Sequence, residues 1–441
     1  MAPGALQGLR IEALASGGAG VAHSADGRVV FVKGGCPGDV LDAEVTADRG
    51  RFLEARAVDV VEPSADRRTP PCPYFGDCGG CQWQHVAYEV QTASKRRQVT
   101  DALQRIGGLG EVDVGQVVTG PVPYGYRNRL ELHAARDRAG RPILGLAREN
   151  SDEIVPVDAC LLLPERARRL PKALSGAIRY LDGRTPLHIE RVGLRVAAHT
   201  RDIEVDLWAA AGPFPRQAVA RTLADASGAD VVTRVIPHGT ARRRFDAKVE
   251  VLAGRGYWRE KLAGVTFRVS APSFFQVNSA LAETMAAKVL DILRPDRSDR
   301  VLDLYAGVGT FTLPLAEVAG EVTAIEGTGA ALRDLRANLE TAGLAADVLG
   351  GDAARALGDA GEFDLAVVDP PRSGMDPEVV TALVRTGVRR FAYVSCDPAT
   401  LARDARLFAS TGLRLVSALP IDLFPQTWHV ETIALFERVS V

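Results

Sequence analysis

The last third of the chain restricts the fold most, because short apolar runs alternate there with stretches of helical periodicity. The runs at 300–305, 321–325, 363–368 and 391–394 are the length of buried strands. Strands that are apolar throughout, with helices between them, imply a mostly parallel sheet covered on both faces. The tail adds 413–420 and 430–437, which pair as an antiparallel closing hairpin. From about residue 270 the expectation is therefore a doubly wound α/β sheet. Ligands of such sheets bind beyond the carboxyl ends of the strands.

The rest of the chain reads differently. Segments 9–15, 19–23, 28–33, 39–46 and 52–61 are Val-rich strands, with Asp26-Gly27 and Arg49-Gly50 as hairpin turns. Five such strands suit a small OB-like β-barrel over residues 1–62, a frequent oligonucleotide binder. Pro63, Pro70, Pro71 and Pro73 mark a linker. A helix is expected over 86–106, where Val99, Leu103 and Ile106 share a face and Gly107-Gly108 ends it. Its run Lys95-Arg96-Arg97 reads as a solvated face. Residues 117–262 alternate strands and polar turns, as a central α+β domain would.

The six cysteines are Cys36, Cys72, Cys78, Cys81, Cys160 and Cys396. Three fall in Cys72-Pro-Tyr-Phe-Gly-Asp-Cys78-Gly-Gly-Cys81, and Cys160 stands apart as a fourth. Without a disulfide-forming context, such clustering points to metal ligation. Four thiolates suit zinc or an iron–sulfur cluster, and spacing does not choose between them. Cys36 reads as a structural thiol.

The loop Tyr305-Ala306-Gly307-Val308-Gly309 joins the first strand of the sheet to a helix. Glu326 ends the second strand, where an acid receives ribose hydroxyls. No third glycine or Walker lysine follows, which favours S-adenosylmethionine over NAD or ATP. Asp352, at the third strand end, serves either the adenine side or a helix cap. The fourth strand ends in Asp369-Pro370-Pro371-Arg372. Arg372 stands where amine methyltransferases carry a stacking aromatic, which counts against amine methylation. Cys396 ends the fifth strand, at the place for a nucleophile. Glu431 begins the last strand, facing the fourth and fifth strand ends, and His429 is a second candidate base.

These groups suit one reaction. C5 of uracil is too weak a nucleophile to take a methyl group unaided; a thiolate adding to C6 makes it an enolate carbon. A base then removes the C5 proton and the thiolate leaves. The nucleophile needs a lowered pKa and a carboxylate nearby.

The chain resembles the RNA uracil-5 methyltransferases over nearly its whole length. Residues 5–62 resemble the family's TRAM barrel. Cys78-Gly-Gly-Cys81-Gln-Trp-Gln-His85 is similar to its cluster motif, which implies that Cys72, Cys78, Cys81 and Cys160 hold a 4Fe–4S cluster. Tyr126-Arg127-Asn128-Arg129 resembles an RNA-facing strand. In Ser273-Phe274-Phe275-Gln276-Val277-Asn278, the resemblance implies that Gln276 touches the cofactor and Phe274 lies near the target base. Tyr305, Glu326 and Asp369 match further cofactor positions, with Asp369 also meeting the uracil edge. Cys396, in Ser395-Cys396-Asp397-Pro398, matches the nucleophile and Glu431 the proton-abstracting base. Thr310 departs from the family's usual Asn.

The resemblance also implies that 86–116 joins 263–441 in the methyltransferase domain, leaving 63–85 with 117–262 as the cluster and RNA-binding domain. Barrel and cluster together lean the substrate toward large-subunit ribosomal RNA rather than transfer RNA. A net charge of −2 argues against a general nucleic-acid binder, yet residues 121–260 hold 24 Lys/Arg against 17 Asp/Glu. The competing readings are a non-catalytic RNA-binding protein and a cytosine-5 or small-molecule methyltransferase. No apolar run reaches the ~20 residues of a membrane span. The expectation is a cytoplasmic monomer.

Overall fold

The structure, a computed structural model, describes residues 4–237 and 247–439 of the chain. Its strands form three large sheets and one small hairpin. The first sheet runs in the order Ala5–Arg10, Val40–Asp48, Phe52–Glu62, Val29–Lys33, Gly20–His23, Ala13–Leu14. Its side chains alternate, so Val30 and Val32 point into a core with Leu9, Leu41 and Leu53. There are six strands rather than five. The expected strand 9–15 breaks at Ile11, which turns inward and donates its N–H to the Asp39 carbonyl.

The second sheet has the order Ile154–Pro156, Pro142–Ala147, Arg129–Arg136, Ile189–Val196, Ile203–Ala209, Val231–Pro237, Ala247–Ala253. Helices Leu170–Asp182 and Arg216–Ser227 pack on it and on each other. Leu174, Ile178, Leu181, Val219 and Leu223 recur at helical spacing and enter its core.

The third sheet carries the alternating pattern. Asp347–Gly350, Glu321–Glu326, Arg300–Leu304, Leu365–Val368 and Arg390–Ser395 lie side by side in parallel. Glu431–Arg438 follows antiparallel, then Leu413–Ile421 antiparallel to it, and Asp113–Val114 closes the edge. Val367 and Val368 face opposite apolar layers, which explains why this strand reads as continuously apolar.

The helix Tyr88–Arg105 packs against Pro398–Ala409, burying Val99 and Leu103. One expectation fails here. Lys95 is fully buried, its Nζ 2.5 Å from Asp422 Oδ1 and 3.0 Å from the Phe424 carbonyl. Asp422 is equally buried and accepts from Tyr88 Oη at 2.7 Å. Only Arg96 and Arg97 form the solvated face. A lysine at a core position of an amphipathic helix carries no local sign of its distant partner. Among the described residues no helix is long and apolar enough to cross a membrane.

Removing one member of a buried pair strands the other charge, at about 3–5 kcal/mol. Lys95→Met and Asp422→Leu should each move the urea unfolding transition to lower concentration by that amount, and the double variant should recover most of it. A double variant as unstable as the sum of the singles would deny the coupling.

Candidate active site

Strand ends of the third sheet meet a segment held by the second. Arg195, almost wholly buried, bridges Glu204 at 2.9 Å and the Ser273 carbonyl at 2.5 Å. Asn128 donates its N–H to the Val277 carbonyl and its Nδ2 to the Gln276 carbonyl at 2.8 Å. These bonds fix segment 273–278 over the sheet and place Gln276 Nε2 3.4 Å from Asp369 Oδ2.

The cavity so enclosed measures about 690 Å³ and is lined by residues of both sheets. That falls within the range of pockets for small ligands and cofactors. Gln276, Tyr305, Glu326, Asp369, Cys396 and Glu431 all line it. Asp352 does not. Its side chain accepts from Arg355 N at 3.2 Å and caps the helix Ala353–Ala360.

The glycine loop forms one wall. Tyr305 takes a left-handed φ of 67°, and the N–H groups of Tyr305 and Ala306 both reach the Ile325 carbonyl at 3.0 Å. Gly309 has a φ of 101°, and a Cβ there would come within 2.5 Å of Leu313. No other residue fits that turn. Glu326 accepts from Gly307 N at 2.9 Å and Thr328 N at 2.5 Å, so its carboxylate braces the loop while facing the cavity. Behind it, buried Asp303 accepts from Thr312 Oγ1 at 2.5 Å. Burial, with Glu326 nearby, pushes the Asp303 carboxyl up to about 7.

The opposite wall arises from strand register. Glu431–Arg438 is antiparallel to Arg390–Ser395, with Thr432 opposite Ser395. Cys396 follows Ser395 and Glu431 precedes Thr432, so both stand at this end of the strand pair and both line the cavity. Glu431 is 3% exposed, and burial together with Asp369 raises its carboxyl well above the usual range, opposed by Arg372. Asp369 is pushed up to about 7 by burial and by Asp303.

Cys396 departs from expectation. Burial, Glu431, Asp369 and Asp397 push its thiol up to about 12, with only Arg372 pulling the other way. The site therefore favours a thiol over a thiolate, chiefly because burial disfavours the charged form. His429 does not line the cavity. Burial and the cations Arg372, Lys95 and Arg127 push it down to about 4, so it is neutral and a weak base. Its ring packs on Trp428 at 4.0 Å between centroids.

Several lining residues escaped the sequence reading: Glu131, Trp208 and Phe424 belong to strands or loops with no local motif. The thiols of Cys72, Cys78, Cys81 and Cys160 lie on a separate, mostly apolar pocket of about 150 Å³. Burial pushes Cys81 up to about 12 and raises Cys78 and Cys160. Gly79 lets the segment touch the second sheet: its N–H reaches the Ala147 carbonyl at 3.0 Å, and a Cβ would press on Glu149 N at 2.9 Å. Among the described residues, no three His, Cys, Asp or Glu are set to hold a single metal ion.

Comparison with known proteins gives consistent matches. The family described as tRNA (Uracil-5-)-methyltransferase matches residues 357–439, the TRAM domain 3–58, and the methyltransferase small domain 279–392. An uncharacterized RNA methyltransferase of Gloeobacter violaceus is 36% identical over 99% of this chain and 98% of its own. The 23S rRNA (uracil(1939)-C(5))-methyltransferase RlmD of Pseudomonas putida is 35% identical, covering 98% and 94%. The structure of Pyrococcus abyssi tRNA (uracil-54, C5)-methyltransferase, in complex with S-adenosyl-L-homocysteine, is similar with a TM-score of 0.77. It is 25% identical and covers 98% of this chain and 99% of that one.

A thiol held near 12 reacts slowly with iodoacetamide at pH 8. Peptide mapping of ligand-free protein should show Cys396 alkylation rising about tenfold per pH unit up to pH 10, since only the thiolate reacts. A plateau below pH 8 would mean that the thiolate is already formed.

Proposed function

The chain belongs to the RNA uracil-5 methyltransferase family, and from that membership we propose that it methylates C5 of one uridine in 23S ribosomal RNA. The observation that carries this reading is that Cys396 and Glu431 line one cavity with the glycine loop. Full-length similarity to RlmD supports a ribosomal substrate. In this reading 1–62 is an RNA-binding barrel, 63–85 with 117–262 holds the cluster and RNA, and 86–116 with 263–441 performs methyl transfer.

When bound, S-adenosylmethionine would supply the methyl group and a positive sulfonium in a cavity lined by both acids and arginines. Glu326, Tyr305, Gln276 and Asp369, which line the cavity, would hold this cofactor, Glu326 through the ribose hydroxyls. The target base leaves its stack to expose C6. Phe424 lines the entry side, and Phe274, about half exposed, is available to stack on RNA.

Cys396 passes its proton to solvent as the thiolate forms, and its sulfur bonds to C6. The C5–C6 π pair moves toward O4, and Asp369, held partly protonated near neutral pH, donates to the uracil edge. C5 takes the methyl group as the methyl–sulfonium bond breaks and the sulfur leaves as a neutral thioether. Glu431 then removes the C5 proton, the pair re-forms C5=C6, and the C6–S bond breaks. A raised carboxyl is a stronger base than an exposed glutamate, which suits this step.

Cys72, Cys78, Cys81 and Cys160 would hold a 4Fe–4S cluster. Four thiols around one apolar pocket fit a cubane, which spreads its ligands further than a single ion does. The methylation moves no net electrons, so a structural role is assigned to it.

Incubation with radiolabelled S-adenosylmethionine and unmodified total RNA, followed by nucleoside analysis, should place label in 5-methyluridine of the large ribosomal RNA. Label confined to transfer RNA would reverse the substrate assignment. Cys396→Ala should bind cofactor normally yet form no covalent RNA adduct, whereas Glu431→Gln should accumulate it. Absence of adduct in both would move the base to another residue.

A further inference from the structure

The loop 422–430 carries Phe424 into the reaction cavity and ends at Glu431. Its backbone is held from outside over residues 422–426. The Phe424 carbonyl accepts from Lys95 Nζ at 3.0 Å, and the Pro425 carbonyl from Tyr126 Oη at 3.1 Å. The Gln426 carbonyl accepts two backbone N–H groups, those of Gln82 and Trp83, each at 3.0 Å. Those two residues directly follow Cys81 in the chain.

Gln91 completes the junction. It is 1% exposed, and its Oε1 accepts from Gln426 N at 3.1 Å. Its Nε2 donates to the carbonyls of Trp83 at 3.0 Å and Val86 at 2.9 Å and to Gln426 Oε1 at 3.1 Å. Gln426 is itself buried and held at a φ of 70°, a conformation that a non-glycine residue keeps only where its surroundings impose it.

We propose that the cysteine segment 72–85 is a positioning element for the reaction loop, acting through Gln82, Trp83, Gln91 and Gln426 on Phe424 and Glu431. The segment contains turns and isolated bridges but no helix or extended strand. Its order therefore depends on few backbone bonds and on what its thiols hold. Any loosening passes straight to Gln426, five residues before Glu431. The glycine loop 305–309 and Glu326 make none of these bonds, and the segment of Gln276 meets the loop only where Asn278 Nδ2 reaches the Leu423 carbonyl at 3.4 Å, so most of the cofactor's contacts are insulated from the effect. The thiol site thereby acts on the rate without taking part in the chemistry. The activity arm of this proposal rests on the reading of Glu431 as the base; the structural arm does not.

Amide hydrogen exchange on the full chain tests it in two forms. One is protein treated with ferricyanide and chelator to strip the thiol site; the other is Gln91→Met, which breaks the junction without touching the thiols. Both should speed exchange across 422–430 about tenfold. Exchange across 300–326 and the dissociation constant of S-adenosylmethionine should stay within about twofold of the untreated protein. Turnover should fall with covalent RNA adduct accumulating, a signature that general destabilisation does not produce. Unchanged exchange in 422–430 in both forms would overturn the proposal, as would equal acceleration in 300–326. Loop exchange that rises as expected in a protein without methyl transfer would support the junction and count against the assigned reaction instead.

Discussion

The site depends on one departure from parallel order. Every parallel strand of a doubly wound sheet delivers its carboxyl end to the ligand edge, so each contributes the residue that follows the strand. Glu431–Arg438 runs the other way and delivers its beginning. An acid that opens the last strand is thereby set against a cysteine that closes the fifth. Ladder register as far as Ser395 and Thr432 brings their backbones to one end of the pair, and the loop 422–430 leads into Glu431. A shift of one residue would turn Glu431 to the other face of the sheet.

Around this pair burial holds the carboxyls short of full ionisation. Asp303, Asp369 and Glu431 all have raised pKa values through burial, and Cys396 is held as a thiol by the same surroundings. Arg372 is the cation that opposes the shifts of Cys396 and Glu431. A site so poised gains from an incoming positive charge. In the proposed reaction a sulfonium would supply one at the moment the nucleophile is needed, which would tie thiolate formation to cofactor binding. Desolvation that makes a poor resting nucleophile also makes Glu431 a better base.

Much of this was legible in the sequence, and the reasons differ by residue. Cys396, Glu431, Asp369 and the glycine loop sit at strand ends, where periodicity and turn residues fix position within a residue or two. Gln276 and Phe274 were legible only through the resemblance, because their segment is held by Asn128 and Arg195 from another sheet. Trp208 and Glu131 carry no local pattern, since a strand in one domain gives no sign that it walls a cavity in another. The solvated reading of Lys95 failed for a related reason: its partner Asp422 lies far along the chain. The ionisation of Cys396 was expected with the opposite sign, because sequence shows which groups are near but not how much water is excluded.

Covalent attachment of Cys396 to the target base is the centre of the account, and trapping it is the most direct test. RNA carrying 5-fluorouridine at the target position, incubated with enzyme and S-adenosylmethionine, presents fluorine where Glu431 would remove a proton. The complex should therefore stall as a methylated adduct that survives denaturation. After digestion, mass spectrometry should find the modified nucleotide on the peptide containing Cys396. A stable adduct on any other residue, or methylated product without an adduct, would contradict it.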